Sequence, residues 1–185
     1  MDDAAIVHRA QRGDLEAFEM LIHRHEGAII SYLHRFMPNR DDTEDLAQEV
    51  FIKAYQSLSR FDPALGQFRS WLFRIAANTS LDELKRRKRV VARRKKVAAQ
   101  LDGEAADSAW NPETELDQVT IIQSALQSIP AAERQVVLLS YYHDLSWREI
   151  ASTLGIPLGT VKSRMHSALS RLRRLIISME DGELR

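Results

Sequence analysis

The sequence contains no cysteine, which excludes disulfide bonds, cysteine zinc ligands and thiol nucleophiles. With only 7 glycines and 5 prolines among 185 residues, it is neither collagen-like nor of low complexity. No apolar run approaches the roughly 20 residues that span a bilayer, and the first residues include acids where a secretory signal has a basic segment. We therefore expect a folded, cytoplasmic protein with no secretory signal and no membrane span of its own.

Net charge is absent as well, because 26 lysines and arginines balance 26 aspartates and glutamates. The balance arises from two adjacent blocks: residues 85–96 hold nine basic side chains and no acid, and residues 97–117 hold six acids and no base. Such a run is often a solvated helix end that leads into a linker. The other interpretation is a positive patch for nucleic-acid phosphates, followed by an acidic tether.

Residues 97–117 also differ in composition from the segments on either side. They are rich in alanine and acids, and they lack helical apolar spacing over most of their length. This pattern predicts a flexible acidic linker between a domain of residues 1–96 and a domain of residues 118–185, both small and helical. Within the first domain, Asp14 is expected to cap a helix that ends at Pro38.

Residues 43–58 predict an amphipathic helix, since their apolar residues recur at three- and four-residue spacing. The face opposite this apolar arc centres near Asp45 and also carries Gln48, Glu49 and Ile52. An isoleucine among acids and an amide is typical of a protein-docking surface, where burial and charge both attract a partner. The alternative is that Ile52 packs under a loop and the acids only stabilise the helix N-terminus.

A further long helix is predicted after a loop at residues 61–67. Trp71, Arg74 and Asn78 share one side of it, in line with Lys85 of the basic run. Aromatic and amide groups interleaved with cations suit single-stranded nucleic acid, because bases stack on rings while phosphates meet lysine and arginine. A tryptophan in such a helix is more often a core residue, whereas an asparagine in mid-helix usually needs a reason beyond helix formation.

The second domain carries the signals of a helix-turn-helix. Ser146 and Glu149 form a capping box that opens a short helix, which Gly155 closes. Pro157 then begins a second helix. Two helices joined by a tight glycine turn make this motif, so the expected fold class is all-α: two small helical domains joined by an acidic flexible linker, the second containing a helix-turn-helix. The predicted apolar stripe of the last helix is Val161, Met165, Leu169, Leu172 and Ile176.

The exposed arc of that last helix is expected to meet DNA. Residues 151–179 contain no acid, whereas a solvated surface helix normally mixes both signs. Small polar side chains let the helix approach a major groove, and basic ones reach phosphates or guanine edges. The arc holds Lys162, Ser163, His166, Ser167, Ser170 and Arg174. A neutral surface helix is the alternative.

Three motifs in order resemble bacterial sigma factors of the extracytoplasmic-function (ECF) type, the compact two-domain branch of the sigma-70 family. They are DTEDLAQEVF at 42–51, FRSWLFRIAAN at 68–78, and SWREIA at 146–151 followed by IPLGTVKSR at 156–164. The match covers nearly the whole chain outside the linker, and three ordered motifs are more specific than a helix-turn-helix alone.

The resemblance implies a role for each surface. Residues 1–96 would correspond to sigma-70 region 2 and residues 118–185 to region 4. The face of Asp45, Gln48, Glu49 and Ile52 would dock on the clamp coiled coil of the largest RNA polymerase subunit. The minus-10 element of the promoter would be melted, captured and held by Phe61, Gln67, Trp71, Arg74, Asn78, Lys85, Arg86 and Arg89. The minus-35 duplex would be read by Thr160, Lys162, Ser163, Arg164, His166, Ser167, Arg171 and Arg174.

The resemblance further implies an anti-sigma protein, in many cases membrane-bound, that holds the factor inactive. It implies no catalytic residue, cofactor, metal or small-molecule substrate. We also expect the two domains of the free protein to occlude one another, so that it binds promoter duplex poorly. The acidic linker is hypothesised to thread toward the polymerase active-site channel as a nucleic-acid mimic.

Two other classes of protein compete with this interpretation. An ordinary repressor would explain the helix-turn-helix but would leave Asn78 and the Asp45 face unexplained. A metal-dependent enzyme would use His23, His25 and Glu26, or the acids within residues 41–45. Two histidines two positions apart on a helix point to nearly opposite sides, and acids suit a helix start without any metal.

Overall fold

The computed structural model describes residues 2–38, 43–100 and 118–183, with side chains described for 2–38, 43–94 and 122–177. Every regular element within these ranges is a helix, so the all-α expectation is confirmed. The helices are α1 (Asp3–Gln11), α2 (Leu15–Phe36), α3 (Thr43–Ser57), α4 (Phe68–Gln100), α5 (Gln118–Ser128), α6 (Ala131–Tyr141), α7 (Trp147–Leu154) and α8 (Leu158–Glu183), and a short 3-10 helix covers Leu58–Arg60. In the parts of the chain so described, no helix is long and apolar enough to cross a membrane.

Helices α1 to α4 form the first group around a core of large apolar side chains. Asp14 caps α2 as predicted, since its Oδ1 accepts a hydrogen bond from the Ala17 amide at 3.1 Å. Tyr32, Phe36 and Phe73 are fully buried in this core. The rings of Tyr32 and Phe73 meet edge to face with centroids 5.9 Å apart, a favourable aromatic geometry.

Helix α4 is longer than the sequence pattern indicates. It begins at Phe68, directly after the predicted loop, and continues through the basic run to Gln100. The helix thus extends four residues beyond position 96, the predicted end of the first domain. The extra residues are Val97, Ala98, Ala99 and Gln100, and alanine and glutamine are good helix formers. The predicted linker from 101 to 117 lies outside the described residues.

Helices α5 to α8 form the second group, and its predicted turn signals are confirmed. The Glu149 amide donates to Ser146 Oγ at 3.3 Å, and the Ser146 amide donates to Glu149 Oε2 at 2.8 Å. Gly155 ends α7 with φ at +64°, a left-handed conformation that glycine adopts without strain. Helix α5 was not predicted.

The predicted apolar stripe of α8 needs a correction. Val161 and Met165 are buried, but Leu169 is 41% and Ile176 50% exposed. Ala168 is fully buried instead. At 100° per residue, Leu169 lies about 70° from the centre of the buried arc, so the smaller Ala168 takes the inward position.

The two helical groups are docked on one another and share a continuous apolar core. Helix α6 lies against α2, and α7 lies against α4. Three side chains of the second group donate to backbone carbonyls at the end of α2: Gln123 to His34 at 2.8 Å, Gln127 to Met37 at 3.0 Å and Arg134 to Phe36 at 2.6 Å. These bonds satisfy helix-end carbonyls that lack partners within α2.

Candidate polymerase and nucleic-acid interface

The predicted docking face of α3 is exposed to solvent. Asp45, Gln48, Glu49 and Ile52 all lie on the outer side of α3. Ile52 is 56% exposed, so no described loop covers it. Glu49 pairs with Lys53 at 2.7 Å, but both side chains stay about half exposed and the carboxylate remains accessible. This arrangement favours the docking interpretation over the interpretation of Ile52 as a packed side chain.

Ile52 also borders an apolar groove between α2 and α3. Phe18, Ile22, Phe51 and Tyr55 line this groove beside it. The rings of Phe18 and Tyr55 are 5.0 Å apart, which fixes the groove wall. The groove therefore extends the exposed apolar surface of Ile52 along the outside of the first helical group.

An aromatic cluster holds the loop that precedes α4. The Trp71 ring lies 5.0 Å from that of Phe61 and 5.4 Å from that of Phe68. Phe61 is buried, Trp71 is half-buried and Gln67 is exposed. The Gln11 amide nitrogen donates to the Phe61 carbonyl at 2.6 Å and ties the loop to α1. Phe61 therefore serves the loop as an anchor, whereas Gln67 and the exposed part of Trp71 are accessible to a ligand.

A pocket of about 240 Å³ lies between this loop and α7. Trp71, Gln67 and Arg74 contribute to one side, and Ser152 and Thr153 of α7 close the other. Four of the predicted minus-10 residues, Phe61, Gln67, Trp71 and Arg74, thus line a pocket that the second helical group borders.

Arg74 donates hydrogen bonds to two backbone carbonyls of α7. Its Nε donates to the Thr153 carbonyl at 3.1 Å, and its Nη2 donates to the Ser152 carbonyl. Thr153 Oγ1 in turn donates to the Ser70 carbonyl at 3.5 Å. Asn78, one turn further along α4, is exposed. In this arrangement α7 binds part of the Arg74 guanidinium, which stays exposed at the surface, and leaves Asn78 open.

The basic end of α4 is only partly neutralised. Glu83 binds Arg86 at 2.6 Å and Arg87 at 2.7 Å, and Lys85 lies 3.3 Å from Asp82. The hydrogen bond from Arg86, followed by that from Arg87, lowers the pKa of Glu83 to about 2. Lys85, Arg86 and Arg89 are exposed, as are Lys88, Arg93 and Arg94. The described part of the run therefore keeps an excess of accessible positive charge.

The predicted minus-35 residues of α8 divide into two sets. Lys162, Ser163, His166, Arg171 and Arg174 are exposed, and Thr160, Arg164 and Ser167 are half-buried. Ser167 Oγ donates to Glu133 Oε1 of α6 at 3.0 Å, and Arg171 Nε lies 3.3 Å from Glu133 Oε2. Ser167 and Arg171 are thus engaged by α6.

Sequence reasoning missed the residues that join the two helical groups. Arg134 is buried, and burial lowers its pKa to about 10. Gln135 donates to the Ala77 carbonyl at 2.8 Å. A signal for Arg134 was available, because it lies three and four positions before Val137 and Leu138 on the apolar face of α6.

His143 is a second residue of this junction that the sequence did not suggest. Its ring lies 4.6 Å from that of Phe73 and 5.9 Å from that of Tyr32, and the Arg69 guanidinium donates to its carbonyl at 2.7 Å. Burial, followed by the charges of Arg69 and Arg35, lowers the pKa of His143 to about 4.

The residues of the metal-enzyme alternative do not converge. His23 lies 3.4 Å from Glu26 at the surface, whereas His25 is buried and lies 2.8 Å from Asp3 of α1. Among the residues that the structure describes, no three potential ligands of this kind gather into one site. Asp41 and Asp42 lie outside the described residues.

The fold therefore combines a helix-turn-helix in the second helical group with an exposed face of α3, in the first group, where Ile52 lies among acidic side chains. Comparison with known proteins agrees with this class. The family model for sigma-70 region 2 matches residues 21–90, and the model for sigma-70 region 4 matches residues 120–172.

Similar proteins include the ECF RNA polymerase sigma-E factor of Escherichia coli K12, 35% identical over 184 residues that cover 91% of each chain. The ECF RNA polymerase sigma factor SigE of Mycolicibacterium smegmatis is 35% identical over 162 residues, which cover 86% of this chain and 61% of that longer protein. The solved structure of CnrH in complex with the cytosolic domain of CnrY superposes with a TM-score of 0.71 at 25% identity, covering 95% of this chain and 97% of CnrH. The chain belongs to the ECF RNA polymerase sigma factors of the sigma-70 family, which direct promoter-specific initiation of transcription.

Proposed function

We propose that this sigma factor acts by recognition alone, with no catalytic chemistry of its own, and that separate surfaces serve polymerase and promoter. In this proposal the protein works in the cytoplasm, because core RNA polymerase and promoter DNA are found there. The exposed α3 face carries the proposal. Ile52 offers burial, and Asp45 and Glu49 offer charge to a basic partner, the clamp coiled coil of the largest polymerase subunit.

The pocket beside Trp71 is proposed to capture a base of the melted minus-10 strand. A base taken out of the stack costs a few kcal/mol, which a pocket repays through stacking and hydrogen bonds. Trp71 offers a ring face, Gln67 an amide and Asn78 a second amide on the exposed side of α4. The accessible cations Lys85, Arg86 and Arg89 then hold the adjacent phosphates.

Helix α8 is proposed to read the minus-35 duplex through the major groove. Its exposed residues combine a cation, two hydroxyls and an imidazole on one side, and these groups suit base edges and phosphates. In the docked arrangement, α7 closes one wall of the pocket beside Trp71 and occupies Arg74. Strand capture therefore requires the two helical groups to separate, and binding to polymerase supplies that change.

An inhibitory protein is the remaining proposed partner. CnrH was solved in complex with the cytosolic domain of CnrY. By analogy, we infer that an anti-sigma factor with a cytosolic segment covers the polymerase or DNA surfaces of this chain. Competition between this segment and core polymerase for the α3 face would keep the factor inactive.

Run-off transcription from a promoter library with bacterial core polymerase tests the proposed function. Selected promoters should initiate only when the wild-type chain is present. Asp45→Arg should abolish core binding, whereas Glu44→Arg is a matched control, because Glu44 lies in the same helical turn but about 100° away. Asn78→Ala should retain core binding and lose initiation. Duplex binding without any binding to core polymerase would favour the repressor.

A further inference from the structure

The recognition helix α8 has a flank that faces α6. Glu133, in the first turn of α6, is largely buried, with 13% of its side chain exposed. Its two carboxylate oxygens approach two residues of α8: Oε1 accepts from Ser167 Oγ at 3.0 Å, and Oε2 lies 3.3 Å from Arg171 Nε. One carboxylate therefore contacts two successive turns of the recognition helix, through a hydrogen bond to Ser167 and a charge contact with Arg171 that is not a hydrogen bond.

Helix geometry separates this flank from the exposed arc. Lys162, Ser163, His166 and Ser170 are all exposed, and at 100° per residue they fall within an arc of about 100°. From His166 the direction of Ser167 differs by about 100° and that of Arg171 by about 140°. A groove centred on His166 would therefore leave Ser167 and Arg171 at its edge or behind it.

We infer that Glu133 is a positioning residue for promoter recognition, which holds Ser167 and Arg171 against α6 so that bases are read by Lys162, Ser163, His166 and Ser170. This inference rests on the proposed function of α8. The Glu133–Arg171 pair has no net charge, so Arg171 adds no net attraction to DNA phosphates. Glu133 holds the two side chains on one flank of α8, whose rotation is set by its buried face, and thereby leaves Lys162, Ser163, His166 and Ser170 to enter the groove.

The first test is the salt dependence of promoter binding by the holoenzyme, assembled from core polymerase and this chain. Glu133→Gln keeps the shape and the acceptor for Ser167 but removes the charge. It should release Arg171 to a phosphate and steepen the slope of log K against log salt by about 0.9. The double variant Glu133→Gln, Arg171→Gln should return to the wild-type slope. An unchanged slope for Glu133→Gln, or a double variant shallower than wild type by about 0.9, would overturn the inference.

The second test is base preference, measured by transcription from the promoter library. Ser163→Ala and Ser167→Ala each remove one serine hydroxyl from α8, at positions four residues apart. Ser163→Ala should change the preference at a minus-35 position, and Ser167→Ala should leave it unchanged. A changed preference for Ser167→Ala, or none for Ser163→Ala, contradicts the inference, and thermal melting of each variant checks its fold. A wild-type holoenzyme that selects no promoter overturns the proposed function itself, whereas a selective wild type with the opposite variant results overturns only the role of Glu133.

Discussion

Arg74 of α4 donates through its Nε to the backbone carbonyl of Thr153 in α7 over 3.1 Å. The residue expected to contact the minus-10 strand is thereby held by the helix-turn-helix that is expected to read the minus-35 duplex. Because the acceptors are backbone carbonyls, this contact depends on the position of α7 more than on its side chains. The N–H groups of Arg74 that bind α7 are therefore not available to a promoter strand.

Replacement of Arg74 by Ala should loosen the docked arrangement of the free chain. The native sequence lacks cysteine, so a Glu16→Cys, Arg148→Cys pair provides unique sites for spin labels on α2 and α7. Distances measured by pulsed electron paramagnetic resonance should broaden in the Arg74→Ala chain. Arg93→Ala, at an exposed arginine of the same helix, is the control and should leave them unchanged. Core polymerase should lengthen the distance between the two labels when Arg74 is present. If the distance distribution does not change when polymerase is added, the separation that we propose is wrong.

Arg134 should contribute strongly to stability, because its buried guanidinium donates hydrogen bonds to the backbone carbonyls of Phe36 and Gln127. Arg134→Met retains much of the apolar bulk but removes the donor to the Gln127 carbonyl and the shorter of the two hydrogen bonds to the Phe36 carbonyl. We expect the free energy of unfolding in urea to fall by roughly 2 kcal/mol or more. Arg148→Met replaces an exposed arginine of α7 and should change it by less than about 0.5 kcal/mol. Equal effects of the two substitutions would argue against a structural role for the buried guanidinium.

His143 should make stability depend on pH. Its pKa is lowered from 6.5 to about 4 in the folded chain. As the pH falls below 6.5, the unfolded chain takes up a proton that the folded chain accepts only near pH 4. The free energy of unfolding should therefore decrease through this window, by up to about 3 kcal/mol.

Urea titrations between pH 7.5 and pH 4.5 measure this effect. A His143→Gln chain has no group that titrates at this position, so its free energy of unfolding should fall less steeply than that of the wild type. His8→Gln serves as the control, because His8 is an exposed histidine of α1. Parallel curves for the wild type and His143→Gln would exclude His143 as the source of the pH dependence.

The capping box at Ser146 should stabilise α7 and with it the helix-turn-helix. Ser146→Ala removes the acceptor for the Glu149 amide and should lower the free energy of unfolding by about 1 kcal/mol. Ser152→Ala, at an exposed position inside α7, should be neutral or slightly stabilising, since alanine is the better helix former. Chemical denaturation compares the two variants, and an equal effect would indicate that the cap is dispensable.

The parts of the fold that could be predicted are those with local causes. The Asp14 cap, the Ser146 box and the left-handed Gly155 each depend on residues within one or two turns, and all three are confirmed. The exposure of Ile52 likewise follows from its helical position. The burial of Ala168 in place of Leu169 could not be predicted from hydrophobicity, since the rotation of α8 is set by its packing against α6.

Local sequence patterns give almost no indication that the two helical groups dock on one another. Gln123, Gln127 and Arg134 contact carbonyls about ninety or more positions earlier in the chain. Glutamines near the surface have many possible partners, so a sequence pattern does not select one. The expectation that the domains occlude one another named no contacts, and the roles of the candidate polymerase and promoter residues stay predictions that the variants above test.

The last turn of α2 is completed by side chains of the other helical group, and this gives the molecule a built-in reporter. Separation of the groups removes the donors from the carbonyls of His34, Phe36 and Met37, so that turn becomes free to fray. Its amides, including that of Met37, which donates to Leu33 at 2.8 Å, should then exchange faster with solvent deuterium. The unlabelled chain thus records its own opening in the exchange of a single helical turn.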